Sequence, residues 1–159
     1  MKIRGAVSRD RNKILNITSG VGNFTEKEIK VAMEVVDQSI EGNGEYITLC
    51  AVDDNDIVIG YASFGLIPLT ERSYDLYWIA VDREQQQKGC GHMLLDCVER
   101  EIIDGGGDRL FVETSSGSDY IYSRQFYEKR GYLKMATIDD FYWKGNDKII
   151  YAKKLKGEY

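Results

Sequence analysis

The stretch Gln86-Gln87-Lys88-Gly89-Cys90-Gly91 decides how the rest of this sequence is interpreted. An apolar, strand-like run at 76–81 precedes it, and a helix-like run at 92–103 follows it. A strand that leads through such a turn into a helix forms an anion site. The first N–H groups of the helix point outward, and its dipole adds roughly half a positive charge. We expect Gly89 and Gly91 to let the backbone approach a phosphate, since a Cβ at either position would stand in the way.

The glycine spacing excludes two common phosphate-binding motifs. It is not a Walker loop, which requires Gly-x-x-x-x-Gly-Lys followed by Ser or Thr. It also lacks the Gly-x-Gly-x-x-Gly of a dinucleotide fold, because Leu94 stands where the third glycine would be. The stretch matches the pattern Gln/Arg-x-x-Gly-x-Gly/Ala, in which Gln86, Gly89 and Gly91 occupy the defined positions.

Length, composition and charge narrow the class of protein. The chain has 159 residues, of which 43% are hydrophobic and 30% charged. These values are ordinary for one globular domain, expected over 1–159. With 21 basic and 26 acidic residues the net charge is −5, which disfavours nucleic acid as a partner and suits a cationic substrate. No apolar run reaches the ~20 residues of a membrane helix, and 1–11 lacks a signal-peptide pattern, so a cytoplasmic protein is expected.

Cysteine and histidine usage argues against metal or nucleophilic chemistry. Cys50, Cys90 and Cys97 show no Cys-x-x-Cys spacing, and His92 is the only histidine. We therefore expect neither a zinc site nor a Ser-His or Cys-His catalytic pair.

Hydrophobic periodicity and turn signals predict the order of the elements. Ser8 is placed to cap a first helix, and Thr25 with Glu28 forms a capping box before a second helix. The predicted strands are 2–7, 46–52, 57–66, 74–81, 109–114 and two that flank 144–147, with further helices at 92–103 and 120–130. An antiparallel start followed by strand–helix–strand–helix predicts an α/β protein with a mixed sheet.

Two motifs resemble those of the GNAT superfamily of acetyl-CoA-dependent N-acetyltransferases. The glycine motif is similar to its pyrophosphate-binding signature. The run from Phe126 to Tyr132 looks like the Phe-Tyr-x-x-x-Gly-Phe/Tyr segment that closes the cofactor cleft. The element order matches over nearly the whole chain, and small prokaryotic members without a settled substrate share runs like 75–81. The resemblance implies a mostly antiparallel seven-stranded sheet, splayed between strands four and five and flanked by about four helices.

The same resemblance implies acetyl-CoA (coenzyme A) as the cofactor. Its pantetheine arm would pair with the backbone of Ile79 and Val81, and the amides from Gln87 to His92 would hold the pyrophosphate. The implied cofactor-binding residues are Ile79, Ala80, Val81, Gln86, Gln87, Lys88, Gly89, Cys90, Gly91, His92, Ser123 and Phe126. Many members carry Asn where Tyr120 stands, so no role is carried over to that residue.

The chemistry of amine acetylation indicates which other residues matter. Neutralising a lysine-like amine at pH 7 costs roughly 4–5 kcal/mol, against about 1–1.5 kcal/mol for an α-amine. By resemblance, Asp75 would be the general base, and its partner could be Glu113 on the neighbouring strand, working directly or through water. Tyr127 would protonate the departing thiolate, and the amide of Ile79 would polarise the carbonyl. The ordinary interpretation is that Asp75 and Glu113 are solvated charges at strand ends and that Tyr127 is a packed aromatic ring.

Cys90 could act as a nucleophile if its thiol ionised at the helix start. The resemblance implies direct transfer of the acetyl group, so we expect Cys90 to be a small residue that fills the loop.

The acceptor side of the site is predicted on the last hairpin. Its residues Phe141, Tyr142, Trp143, Asp139, Asp140 and Asp147 combine aromatic faces with carboxylates, which suit a cationic amine. The loop 67–73 and the second helix would form the other wall. Three functions remain open: an N-acetyltransferase acting on a small amine, a protein N-terminal or lysine acetyltransferase, and a catalytically silent acyl-CoA-binding module. A homodimer is left open by analogy alone.

Overall fold

The computed structural model describes residues 1–156, so the last three residues of the expected domain lie outside it. The strands are β1 (Lys2–Gly5), β2 (Ile47–Val52), β3 (Val58–Leu66), β4 (Ser73–Val81), β5 (Arg109–Ser115), β6 (Leu133–Trp143) and β7 (Asn146–Lys154). The α-helices are α1 (Arg11–Gly20), α2 (Glu26–Glu41), α3 (Cys90–Asp104) and α4 (Ile121–Lys129). The predicted order of elements is confirmed.

The seven strands form one sheet in the order β1-β2-β3-β4-β5-β7-β6. Every neighbouring pair is antiparallel except β4 and β5, which run parallel. The parallel pairing extends only from Ser73 opposite Arg109 to Leu76 opposite Val112, after which the two strands separate. The mostly antiparallel sheet with splayed fourth and fifth strands is therefore confirmed.

Helices α1 and α2 show how local sequence sets the ends of elements. The capping box before α2 is confirmed: the Glu28 amide donates to Thr25 Oγ1 at 3.2 Å, and the Thr25 amide donates to the Glu28 carboxylate at 2.6 Å. The expectation that Ser8 caps the first helix is wrong. Ser8 begins a single 3₁₀ turn, and α1 starts only at Arg11. Asp10 precedes α1 without a side-chain cap, and its carboxylate accepts from the Val7 amide at 2.9 Å across the 3₁₀ turn.

Two hydrophobic clusters cover the two faces of the sheet. On one face, α3 and α4 pack on the strands through Leu94, Leu95, Val98, Ile102 and Tyr127, which meet Leu110, Val112 and Tyr151. On the other, α1 and α2 pack through Ile14, Ile17, Met33 and Val36 on Cys50, Val52, Tyr61 and Ala80. Both faces are buried at the centre of the sheet, so the site lies where helices leave the sheet uncovered.

A β-bulge in β4 changes which side chains face the site. Leu76 is opposite Phe64 and Trp78 is opposite Ser63, so Tyr77 is an extra residue with no partner in β3. Leu76 packs on the α3 side, whereas Trp78 packs on the α1–α2 side. Asp75 lies next to Leu76 in the strand and so points to the α1–α2 side as well. The bulge thereby places Asp75 and Trp78 on one face, a position that strict alternation would not allow.

The last hairpin contains a second irregularity. Ile138 is opposite Lys148 and Trp143 is opposite Asn146, so residues 139–142 of β6 stand against Asp147 alone. Asp140 adopts a left-handed backbone, with φ of 52°, at this point. The segment is held by the Gly145 amide, which donates to Asp140 Oδ1 at 2.7 Å. This outward bend moves the aromatic residues at the end of β6 away from a regular ladder.

Candidate active site

The loop before α3 has the geometry of an anion site. Gln87 and Gly89 both have left-handed backbones, with φ of 62° and 84°. Gly89 is the residue before the first turn of α3 and has no side chain to cap the free amides there. A left-handed conformation at a non-glycine residue such as Gln87 costs about 1 kcal/mol or more and typically marks a functional turn. The loop therefore fits a phosphate ligand.

The role expected for the two glycines needs refinement. A Cβ at Gly89 would meet nothing within 4 Å in the protein, so the positive φ is what requires glycine there. A Cβ at Gly91 would lie 3.6 Å from the Phe126 ring, which is ordinary contact. Only a bound ligand would find either Cβ in its way.

Side chains around the loop bring α4 to the start of α3. The His92 ring lies 5.1 Å from the Phe126 ring, and Ser123 precedes Phe126 on the same helix. Gln86 turns back and donates from Nε2 to the Val81 carbonyl at 3.2 Å. Lys88 is exposed, with Nζ 3.5 Å from the side-chain oxygen of Gln85. The structure thus assembles the two motifs that the sequence separates by more than 30 positions.

The backbone beyond the bulge has one unpaired edge. Ile79, Ala80 and Val81 pair with Ala62, Tyr61 and Gly60 of β3. Within the described residues, their other edge has no register partner, because β4 and β5 separate after Leu76 and Val112. Free N–H and C=O groups in such a gap can accept an added extended ligand. The gap therefore fits a pantetheine arm, in the position that the resemblance implies.

Cys90 lies at the helix start without the environment of a nucleophile. It is buried, and a Cβ added at Gly60 would lie only 2.9 Å from its sulfur. Burial raises the pKa of the Cys90 thiol to about 11, so the thiol stays protonated at neutral pH. Its packing agrees with a small residue that fills the loop.

On the α1–α2 face, the gap opens into a cleft of about 910 Å³. Four carboxylates line it: Glu28, Asp75, Glu113 and Asp119. Six aromatic rings complete the wall: Phe24, Tyr77, Trp78, Tyr120, Tyr142 and Trp143. No lysine or arginine of the described chain lines this cleft. Lys148, outside the lining, pairs with Glu113 and offsets one of the four charges, and the remaining carboxylates favour a positively charged ligand.

Two of these carboxylates, Asp75 and Glu113, lie in different environments. Burial, helped by the charge of Glu113 and opposed by that of Lys148, raises the pKa of Asp75 to about 6. Glu113 forms an ion pair in which Lys148 Nζ lies 2.8 Å from Glu113 Oε2. Asp75 is therefore a carboxylate that is mostly ionised at pH 7 yet more basic than a free aspartate.

The pKa of Asp75 has a consequence for stability. A carboxyl with a pKa of about 6 in the folded protein and 3.8 unfolded opposes folding once it ionises, so stability is lost as pH rises from about 4 to 6. We expect Asp75→Asn to stabilise the protein above pH 6 by about 1 kcal/mol after discounting for solvent exposure. This corresponds to a Tm rise of about 2–4 °C. Thermal unfolding of both proteins between pH 4 and 7.5 checks it; a gain that persists at pH 4 would contradict it.

Tyr127 lies on the other face of the sheet from the acidic cleft. Its ring packs against Tyr132 and Tyr151, with centroid distances of 5.7 and 6.3 Å. Burial raises the pKa of Tyr127, so its hydroxyl keeps its proton at neutral pH. Tyr127 is not among the residues that line the cleft. The structure therefore places Tyr127 in the core on the α3–α4 face and does not bring it together with Asp75 and Glu113.

The predicted acceptor residues divide into two groups. Tyr142 and Trp143 line the cleft. Phe141 lies beneath Lys148, and Asp140 is used within the bend of the hairpin. Asp139 and Asp147 are likewise not lining residues.

The other wall of the cleft agrees with the expectation in part. The second helix lines the cleft through Glu28, as expected, whereas the loop 67–73 does not line it and that part of the prediction is wrong. The rest of this wall is built by 22–25, between α1 and α2. Tyr120 reaches it from the far side, because its hydroxyl donates to the Asn23 carbonyl at 2.9 Å.

Sequence reasoning missed Glu28, Asp119, Tyr120 and Lys148 as residues of the site. Glu28 carries a clear capping signal, and that signal explains its presence without reference to a cleft. Many members of the superfamily carry Asn at the position of Tyr120, so the family pattern assigned no role to the tyrosine. Lys148 has no motif around it, and only the register of β5 and β7 puts it beside Glu113.

The split sheet and the uncapped helix start fit a ligand with a phosphate group and an extended arm, and the acidic cleft fits a cationic second ligand. Comparison with known families then identifies the class of protein. Residues 19–132 match the model of the acetyltransferase (GNAT) family. The chain belongs to the GNAT family of acetyltransferases, and acetyl-CoA is its co-substrate.

Solved structures show the same fold over the whole chain. A Desulfovibrio desulfuricans protein described as a GNAT-family acetyltransferase is 37% identical, covers 98% of this chain and 99% of its own, and has a TM-score of 0.93. An aminoglycoside 6'-N-acetyltransferase complexed with coenzyme A is 18% identical, with a TM-score of 0.79 and coverage of 100% and 99%. The Escherichia coli ribosomal-protein-S18-alanine N-acetyltransferase is 19% identical, with a TM-score of 0.79 and coverage of 99% and 96%. The last two show the fold alone.

Two further findings concern sequence relatives and the membrane. None of the curated proteins compared with this chain matches it in sequence. Over residues 1–156, every helix is too short or too polar to cross a bilayer.

Proposed function

We propose that this acetyltransferase transfers the acetyl group of acetyl-CoA directly to a primary amine on a small, positively charged molecule. The observation that carries the proposal is the cleft lined by Glu28, Asp75, Glu113 and Asp119 without a lysine or arginine among the described residues. Carboxylates and aromatic faces both attract ammonium groups. An acceptor with more than one amino group would use more of this wall than a monoamine.

The rim of the cleft supports a small acceptor. The hydrogen bond from Tyr120 to the Asn23 carbonyl joins the segment before α4 to the loop between α1 and α2. This bridge narrows one end of the space that an extended peptide would have to cross. The aromatic side chains of Tyr142 and Trp143 fill part of the opposite wall. A protein N-terminus or lysine would have to enter from the remaining side.

The bound acetyl-CoA supplies an activated acyl group and a thiol leaving group. Within the protein, the loop amides from Gln87 to His92 would hold the pyrophosphate, and the free edge at Ile79 would orient the pantetheine arm. Asp75 would take the proton that a charged amine must lose. Tyr127, which keeps its own proton, would donate it to the departing thiolate.

Thiol release from acetyl-CoA over a panel of polyamines, amino acids, aminoglycosides and short peptides tests the proposal. We expect turnover with small polyamino compounds and a KM that rises with salt, because screening weakens the attraction to the cleft. Calorimetric binding of coenzyme A is measured alongside. Turnover with peptides alone would favour a protein acetyltransferase, and cofactor binding without any turnover would favour a silent binding module.

A charge-removing variant at the rim sharpens this test. We expect Asp119→Asn to raise the KM of a diamine about fivefold and to leave that of a monoamine nearly unchanged, since an exposed ion pair contributes up to about 1 kcal/mol. Asp104→Asn, at the far end of α3, is the matched control and should change neither KM. Equal effects of the two variants would show that net charge, and not the cleft, governs binding.

A further inference from the structure

Three charged side chains form a row across adjacent strands on the cleft face of the sheet. Asp75 of β4 pairs with Phe111 of β5, and Glu113 lies two residues further on the same face of β5. Lys148 of β7 pairs with Ser115, which places it diagonally from Glu113 on that same face. The order of the row is Asp75, Glu113, Lys148, following β4-β5-β7.

Lys148 is fixed in this row from more than one side. Its Nζ lies 2.8 Å from Glu113 Oε2 and 3.9 Å from the centroid of the Phe141 ring. The Lys148 side chain is only 14% exposed, whereas that of Glu113 is 49% exposed. The outward bend of β6 at 139–142 is what carries Phe141 to the lysine. A lysine held between a carboxylate and a ring face differs from a freely moving surface lysine.

The two carboxylates of the row differ in what they contact. Glu113 forms an ion pair with the Lys148 ammonium, which fixes the direction of its carboxylate. Asp75 has no hydrogen bond or ion pair with any residue of the described chain and lines the cleft. An unpaired carboxylate at the wall is free to meet the ammonium of an acceptor.

We propose that Lys148 is a positioning residue that gives the two carboxylates different roles. It holds Glu113 in a fixed ion pair and leaves Asp75 as the base that receives the proton of the acceptor ammonium. One proton moves from the acceptor nitrogen to an Asp75 oxygen, and the freed lone pair forms the C–N bond to the acetyl carbon. Tyr127 gives its proton to the thiolate that leaves when the C–S bond breaks, and the second proton lost by the nitrogen restores Tyr127 through solvent. The proposal rests on the proposed function, because it requires an amine acceptor in the cleft.

The charges around Asp75 set the expected pH behaviour. Tyr77 faces Asp75 from its own strand, Glu113 from β5 and Lys148 from β7. Tyr142 of β6 lies close enough to Glu113 and to Glu28 of α2 for both charges to raise its pKa. Glu113 raises the pKa of Asp75 and Lys148 lowers it. Removing the charge of Glu113 should therefore lower the pKa of Asp75, and removing that of Lys148 should raise it.

The test follows the Asp75 carboxyl by ¹³C NMR titration, assigned with Asp75→Asn. Lys148→Met should raise the pKa of Asp75 by about one pH unit, and Glu113→Gln should lower it. Lys148→Arg keeps the charge and should restore the wild-type value. Lys134→Met is the matched control, because Lys134 pairs with Tyr151 on the opposite face, and it should change nothing.

Kinetics supply the second readout. The acid limb of the kcat/KM profile should move with the NMR value: upward in Lys148→Met, downward in Glu113→Gln and back in Lys148→Arg. An acid limb that stays in place in Lys148→Met would overturn the proposal, as would an unchanged NMR titration. If Lys148→Met does not fold, Glu113→Gln and Lys148→Arg decide the matter. Shifted NMR titrations in a protein that acetylates no amine would reject the proposed function and retain the charge pairing.

Discussion

Replacing Gly89 by glutamate is expected to weaken binding of coenzyme A at least about a hundredfold. The new carboxylate would stand beside the free amides at the start of α3, where the pyrophosphate is proposed to bind. Juxtaposed like charges cost several kcal/mol, and each 1.4 kcal/mol is a factor of ten in affinity. Calorimetry with coenzyme A measures the loss. The fold should survive, because a Cβ at Gly89 meets no protein atom within 4 Å and the backbone strain at a φ of 84° costs only about 1–2 kcal/mol.

Gly106 offers a matched control for this substitution. It lies just beyond the other end of α3, has a φ of 87°, and a Cβ there also meets nothing within 4 Å. Gly106→Glu therefore introduces the same backbone strain and the same charge at the opposite pole of one helix. Its affinity for coenzyme A should stay near that of the wild type. If Gly89→Glu retained its affinity for coenzyme A, the pyrophosphate could not bind at this loop.

Changing Tyr127 to Phe is expected to lower kcat about 10²–10⁴-fold while leaving the affinity for coenzyme A nearly unchanged. That range is typical for the loss of a general acid. The ring contacts with Tyr132 and Tyr151 are kept by phenylalanine, so the core stays packed. Steady-state kinetics and calorimetry measure the two quantities separately.

The control for the Tyr127 substitution is Tyr132→Phe. The Tyr132 hydroxyl donates to Glu99 at 2.9 Å, so this variant loses a structural hydrogen bond in the same cluster. It should reduce stability by about 1 kcal/mol without a comparable effect on kcat. An unchanged kcat in Tyr127→Phe would remove Tyr127 from the chemistry, and another proton source would then be required.

The sequence predicted the elements well because their signals are local. The capping box of Thr25 and Glu28 needs only four residues to be recognised, and the structure confirms it. The first helix shows the limit: Ser8 has the right residue type for a cap, but the carboxylate of Asp10 is bound by Arg4 and by the Val7 amide, and 8–10 forms a 3₁₀ turn before α1. That turn depends on a tertiary contact with β1, which a capping pattern does not reveal.

The site was predictable only in part, because it combines a local motif with long-range register. The loop around Gly89 could be recognised from its own glycine spacing. The bulge at Tyr77 could not, since it exists only in the pairing of β4 with β3. The contact between Glu113 and Lys148 likewise depends on which residues of β5 and β7 are opposite. Strand register is decided by the whole sheet, so side chains that meet through it carry no signature in one strand.

The separation of β4 from β5 links the widths of the two binding spaces. The four paired positions all lie at one end of the strands, from Ser73 to Leu76, so beyond them the two half-sheets are joined by the side-chain core under α3 and not by backbone pairing. The gap beside Ile79 and the acidic cleft open from this same separation. A core substitution that changes the angle between the half-sheets is therefore expected to change the affinity for both substrates.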